Sequence, residues 1–289
     1  MRMTGRRESD NVDDRRGSMS GGFSFGRFGI AGAAIVAVVV LLMGGDIGDV
    51  MNILGGNAGF MSTDSRPHAE NVDEEALAKF SRQILAGTED VWTAEFKKMG
   101  KQYVAPKLVL YTNSVQSGCG GANASVGPFY CSADQTVYID LSFFLEMKAT
   151  IGADGDFAYA YVIAHEVGHH VQYLLGILDE AHSRMARLSS KEANQISVRL
   201  ELQADFLAGV WAYHDNEMFS SLEAGDVEEG LNAASKIGDD YLQKKSQGYT
   251  VPESFNHGTS AQRIRWLKRG IATGDISYGD TFSPQYSEL

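Results

Sequence analysis

DFAYAYVIAHEVGHHVQYLL, residues 156–175, is the stretch on which the reading of this sequence turns. Phe157, Tyr161, Ala164, Val167, Gly168, Val171 and Leu175 recur at helical spacing. The segment therefore reads as a helix that is apolar nearly all round, and such a helix is buried. A buried helix does not carry His165, Glu166 and His169 without partners, because an unpaired polar group away from water costs on the order of 1–3 kcal/mol. The three residues form the pattern H-E-x-x-H. Residues i and i+4 stack on one helix face, so both imidazoles can reach one metal ion. Glu166, turned by about 100°, can sit beside that ion without ligating it, take a proton from a metal-activated water and hand it on to a leaving group. Zinc lowers the pKa of such a water from about 15.7 to near 7. Two solvent-facing histidines on a surface helix would give the same letters; the apolar surroundings argue against that reading.

A catalytic zinc needs a third protein ligand and one open position. Glu201, in Glu201-Leu-Gln-Ala-Asp205, is the candidate, on a separate predicted helix. Asp205 lies at i+4 from it and shares its face, where it can accept a hydrogen bond from a ligand histidine and orient the ring. A solvated acidic face is the competing reading, and the small or apolar neighbours Ala204, Phe206, Leu207, Ala208 and Val210 weigh against it.

Around this centre, residues 70–100 read as helix with a break at Gly87, and Asp73-Glu74-Glu75 suits a helix N-terminus. Lys107–Tyr111 and Thr136–Asp140 read as strands. Between them lies a Gly-rich segment, read as an irregular loop or bulged edge strand, that contains both cysteines, Cys119 and Cys131. They are either free thiols or a disulfide; the latter would stabilise by roughly 3 kcal/mol and would require an oxidising compartment. Residues 141–151 read as a short helix, 180–214 as one helical run and 231–242 as another. Thr259-Ser-Ala-Gln262 is a capping-box pattern that opens a last helix, with Gly270 as its stop.

The chain has 289 residues, of which 44% are hydrophobic, and a formal net charge of −12. It holds enough apolar material for a full core. The acidic balance and the lack of a basic stripe with interleaved aromatics exclude nucleic acid as an expected partner. Residues 1–27 are polar and Gly/Ser/Arg/Asp-rich and read as a disordered tail. From Phe28 to Gly45 no residue is charged. This segment could be a buried core helix or a cleaved signal peptide, but a retained transmembrane helix fits best. Arg2, Arg6, Arg7, Arg15, Arg16 and Arg27 precede it, whereas Asp46 and Asp49 follow. The positive-inside rule then places the N-terminus in the cytoplasm and the bulk of the chain outside, as a single-pass protein of the cell membrane. A Cys119–Cys131 disulfide would persist on that outer side. Residues 46–69 read as a linker.

The motifs together resemble those of the neutral zinc metallopeptidases of bacteria, membrane-anchored proteins of the zincin group with a glutamate as third ligand. The matching residues are His165-Glu-Val-Gly-His-His-Val-Gln172, Glu201-Leu-Gln-Ala-Asp205 with Ala208-Gly-Val-Trp211, and His257-Gly-Thr-Ser-Ala-Gln-Arg263 with Trp266. Gly118-Cys-Gly, Gly127-Pro-Phe-Tyr-Cys131 and Val137-Tyr-Ile-Asp-Leu-Ser-Phe-Phe144 also fit, and Phe206 departs from the cysteine expected there. The resemblance implies a peptidase domain over residues 70–275, followed by a C-terminal tail over 276–289. Its fold would be α+β and zincin-like, mostly helical with a small sheet, preceded by one transmembrane helix. The implied activity is zinc-dependent hydrolysis of a peptide or protein substrate, with His165, His169 and Glu201 on zinc and Glu166 as general base. His257 would polarise the carbonyl or stabilise the oxyanion, or else serve only as a hydrogen-bonding turn residue. A small sheet would offer an edge strand near the active helix, and residues 127–131 and 136–140 are candidates for lining that cleft. The rival reading is a non-catalytic, membrane-anchored protein that keeps zinc for structure. His170 reads as a supporting residue, and His68, His182 and His214 as structural or surface residues.

Overall fold

The structure, a computed structural model, describes residues 1–17, 72–123 and 126–289. A four-stranded sheet forms one layer. Its strands are β1 (Val12–Asp14), β2 (Lys107–Tyr111), β5 (Phe129–Cys131) and β6 (Thr136–Asp140), in the order β1-β2-β6-β5. β1 and β6 run parallel to β2, whereas β5 is antiparallel to β6 and sits at an edge. Leu108 and Leu110 stand beside Val137 and Ile139 in register. Because side chains alternate along a strand, these four enter the main core. Val109, Tyr111 and Tyr138 enter a second cluster on the other face with Val115, Ala122 and Cys131. β3 (Ser114–Ser117) and β4 (Gly120–Asn123) form an antiparallel hairpin where the sequence suggested an irregular loop.

Eight α-helices are described. α1 spans Val72–Lys98, α2 Ser142–Ile151, α3 Asp156–Leu174, α4 Ile177–Met185, α5 Ser190–Phe219, α6 Asp226–Lys236, α7 Asp239–Gln247 and α8 Ser260–Thr273. α3, the helix of the opening stretch, is buried from Phe157 to Gly168 and again from His170 to Gln172. The long α5 packs across it. At the crossing, a Cβ on Gly168 would lie 3.0 Å from the Ala204 carbonyl oxygen, so the glycine sets how closely the two helices meet. α8 packs on the other side of α5 through Gly209 and Gly270, each of which touches the opposite helix's backbone so closely that a Cβ would collide with it.

Several sequence expectations change here. Gly87 does not break α1; the Arg6–Asp215 ion pair is pressed against it, so the position needs a bare backbone. The run over 180–214 is two helices, because Ser189 and Glu192 form a capping box that starts α5. The run over 231–242 is divided at Gly238, which abuts Ser260. Thr259 and Gln262 cap α8 as expected, but the helix ends at Gly274 in a left-handed conformation, not at Gly270. Residues 276–289, expected as a tail, lie against the body: Thr281 is fully buried, and its carbonyl and that of Pro284 accept from the Arg199 guanidinium.

The expected fold class and localisation need correction. The fold is mostly helical with a small sheet. Among the described residues no helix is long and apolar enough to cross a membrane. The segment expected to do so, residues 28–45, lies outside the described residues, as does the whole of the linker over 46–69. Residues 1–17 are also not a separate tail. Arg6 pairs with the buried Asp215, Arg7 with Glu89 and Asp90, and Arg16 with Glu75. Arg6, Arg7 and Arg16, three of the arginines read as an orientation signal, are thus spent on folding, with β1 completing the sheet. An arrangement with the N-terminus on one side of a membrane and the rest on the other would pull these pairs apart.

Candidate metal centre

α3 and α5 bring three of the expected residues together. One ligand atom each from His165, His169 and Glu201 can be chosen so that all lie within 4.8 Å of one another. His165 Nε2 is 3.2 Å from Glu201 Oε2, and His169 Nε2 is 3.4 Å from Glu201 Oε1. Zinc bonds of about 2.0–2.2 Å in a tetrahedron require donor–donor edges of roughly 3.3–3.6 Å. Two imidazole nitrogens and one carboxylate at these spacings are a donor set that fits zinc with a position left open.

The opposite ring nitrogens fix the tautomers. His165 Nδ1 is 2.9 Å from Asp205 Oδ1, and a carboxylate only accepts, so Nδ1 carries a proton and Nε2, beside Glu201, is the atom that would meet a metal. His169 Nδ1 is 2.9 Å from Gln172 Oε1. The Gln172 amide nitrogen donates to the Leu200 carbonyl and to Gln203 Oε1, which orients its oxygen toward His169. Sequence reasoning gave Gln172 no part in the site; its i+3 position from His169 was the available signal.

Asp205 is fully buried and accepts four hydrogen bonds. Besides His165, the Tyr161 hydroxyl donates to Oδ1 at 2.5 Å, and Arg263 donates from Nε to Oδ2 at 2.8 Å and from Nη2 to Oδ1 at 2.9 Å. Arg263, only 3% exposed, was not singled out in the sequence. Burial alone would raise the Asp205 and Glu201 carboxyls. Arg263 and His165 outweigh it at Asp205, and His169, His257 and His165 outweigh it at Glu201, so both are held below the usual carboxylate range. Burial pulls His165 down, but Asp205 and Glu201 push it up to about 10. Glu166, 9% exposed, is raised by burial against the opposing pull of His165 and His169, and no hydrogen bond figures among its influences.

His257, just before α8, is close enough to Glu201 for the two to interact electrostatically. Its Nδ1 is 3.3 Å from Asp239 Oδ1, and Asp239 Oδ2 accepts from the backbone N–H groups of Asn256, His257 and Gly258. Burial lowers the His257 pKa, but Glu201 and Asp239 raise it on balance. His170 ties α3 to the edge strand: its Nε2 donates to the Val104 carbonyl at 2.7 Å, so its Nδ1 accepts from the Tyr130 hydroxyl at 2.9 Å. Cys119 and Cys131 form a disulfide that joins the β3–β4 turn to β5. His214 donates to the Gly274 carbonyl, His182 lies on α4, and His68 falls outside the described residues.

The comparisons agree with this geometry. A family described as "Putative neutral zinc metallopeptidase" matches residues 1–282. The "Uncharacterized protein YpfJ" of Escherichia coli K12 is 52% identical over 287 residues, covering 98% of this chain and 99% of that one. The "Uncharacterized protein Rv2575" of Mycobacterium tuberculosis H37Rv is 39% identical over 215 residues, covering 71% and 72% of the two chains. No solved structure matches.

Proposed function

Because the chain belongs to the family of neutral zinc metallopeptidases, we propose that it is a zinc-dependent peptidase in which His165, His169 and Glu201 hold the metal and Glu166 acts as general base. The observation that carries this reading is the convergence of three ligand atoms within 4.8 Å on two buried helices, with both imidazoles oriented by Asp205 and Gln172. Zinc held there supplies Lewis acidity, which polarises a carbonyl and lowers the pKa of water from 15.7 to about 7. Glu166 accepts the proton released as water attacks the peptide carbonyl, then delivers it to the departing amine. The bond broken is C–N; the proton and the hydroxyl come from the one water consumed. Asp239 holds His257 with Nδ1–H toward its own carboxylate, which turns Nε2 toward the site. A proton on Nε2 would suit His257 to stabilising the oxyanion.

An extended peptide substrate would add to β5. β6 is paired on both sides and buried throughout, so residues 136–140 are not available for this, whereas β5 has an open edge among the described residues. The Tyr130–His170 hydrogen bond sets that edge at a fixed place beside the metal helix.

The test is metal analysis of the full chain together with cleavage of a broad peptide library, with Glu166→Gln as control. The expected result is one zinc per chain and cleavage by the wild type, with Glu166→Gln retaining zinc and losing roughly 10²–10⁴-fold in rate. A wild type that holds zinc and cleaves no peptide would make the centre a structural one. A chain that binds no divalent metal would overturn the ligand assignment.

A further inference from the structure

We propose that Arg263 and Tyr161 are positioning residues for the metal ligand His165, acting through Asp205. The inference rests on the reading of His165, His169 and Glu201 as metal ligands and extends it to side chains that touch neither metal nor substrate.

Asp205 alone does not define where His165 points. A carboxylate on a single χ2 torsion can rotate, and an Nδ1–H partner that rotates leaves the ring free to follow. Three contacts remove that freedom. The Arg263 fork binds both carboxylate oxygens, Nε on Oδ2 at 2.8 Å and Nη2 on Oδ1 at 2.9 Å, which fixes the carboxylate plane. The Tyr161 hydroxyl donates to Oδ1 at 2.5 Å, from a residue one helical turn before His165 on α3. Arg263 Nη2 also contacts the Tyr161 oxygen at 3.2 Å and so closes a ring of hydrogen bonds. Only then does His165 Nδ1 meet Oδ1, at 2.9 Å.

The same guanidinium reaches a second ligand. Arg263 Nη2 stands 4.0 Å from Glu201 Oε2. One cation from α8 thus faces the carboxylate that orients a ligand and the carboxylate that is one. Burial explains why the cation is needed. Asp205 is fully buried and Arg263 is 3% exposed, and a buried carboxylate stays charged only with a hydrogen-bonded cation to offset its lost hydration. A lysine would supply the charge without the planar fork.

A clamp that merely joined α8 to α5 would change stability and leave the folded site's affinity alone. The experiment separates the two. Zinc dissociation constants are measured by chelator competition, with zinc as the only probe, on full-length wild type, Arg263→Lys and Tyr161→Phe. Melting of each metal-free protein is recorded in parallel. The expected result is a 10–100-fold weaker zinc affinity for Arg263→Lys and a smaller loss, about 3–10-fold, for Tyr161→Phe, each in protein that is folded at the assay temperature. Zinc affinity equal to wild type in folded Arg263→Lys overturns the proposal. If Arg263→Lys does not fold, Tyr161→Phe decides: it removes one oxygen and no volume elsewhere, and unchanged zinc affinity in that variant overturns the proposal. A wild type without zinc affinity would instead be the failure of the ligand reading itself.

Discussion

His165 and His169 each use Nδ1 on a protein partner, and this leaves Nε2 of both beside Glu201. The ligand pair was legible in the sequence because it is local: i and i+4 on one helix is a geometric fact wherever the helix lies. Glu201 and Asp205 were legible by the same spacing, once a third ligand was sought. Arg263 was not, since it is 58 residues from Asp205 in the chain and the motif that ends on it drew attention only to His257. Cys119 and Cys131 were left between thiols and a disulfide by the sequence and are joined in the structure. The joined cysteines are 12 apart in sequence, and closing so short a loop stabilises by about 3 kcal/mol in the chain-entropy model. We expect Cys119→Ser/Cys131→Ser to lower the melting temperature by roughly 6–12 °C. Calorimetry of the two proteins checks this, and equal melting temperatures would show that the staple does little.

Among the elements, the helix pair α5–α8 decides whether Arg263 meets Asp205. The pair touches through Gly209 and Gly270, each against the other helix's backbone. Both glycines lie in regular helix, where sequence rules read Gly270 as a stop; the tertiary contact overrides the local signal. Gly87 in α1 is the same case, kept by the Arg6–Asp215 pair rather than by a break. The capping box at Thr259 was recognised and the one at Ser189 was not, although both are present, because the second sits inside a continuous helical pattern. Adding a methyl at Gly209 has no side chain to push aside, only the Leu267 carbonyl and the α8 backbone. Gly209→Ala should therefore cost about 1–3 kcal/mol or more by forcing the helices apart. Urea denaturation of the metal-free protein measures it, and a loss under about 0.5 kcal/mol would mean that the crossing can relax.

The molecule as a whole is a sheet and a helical layer closed by a segment from far away in the chain. Residues 1–17 were misread because their composition is that of a disordered tail; their partners, Asp215, Glu89, Asp90 and Glu75, are all supplied by helices much later in the sequence. The docking depends on ionised carboxylates. Asp14 is held below its ordinary 3.8 chiefly by Arg16 of its own segment, and docking adds the weaker pull of Arg82 on α1. Glu75 is held below 4.5 by Arg82 and then Arg16. Each binds its proton more weakly when docked than when free. Their contribution is therefore fully present above about pH 4.5 and fades as the pH falls through the lower docked values. Amide hydrogen exchange of residues 12–14, corrected for the intrinsic pH dependence, should show protection at pH 7 and much less at pH 3. Equal protection would mean that β1 is held by its backbone ladder alone.

The Arg6–Asp215 pair has a consequence for how the chain is made. The two residues are 209 positions apart. At a synthesis rate of about 5–20 residues per second, Arg6 leaves the ribosome roughly 10–40 s before the carboxylate that will neutralise it exists. β1 waits likewise for β2, since Val12 pairs with Leu108. Arg7, Arg16 and β1 have their partners once residues 75–110 are made, but Arg6 stays without its own until α5 is nearly complete. The start of the chain is thus an early product and a late arrival: nascent chains halted before residue 215 should leave the backbone around Arg6 more open to protease than the full-length chain does.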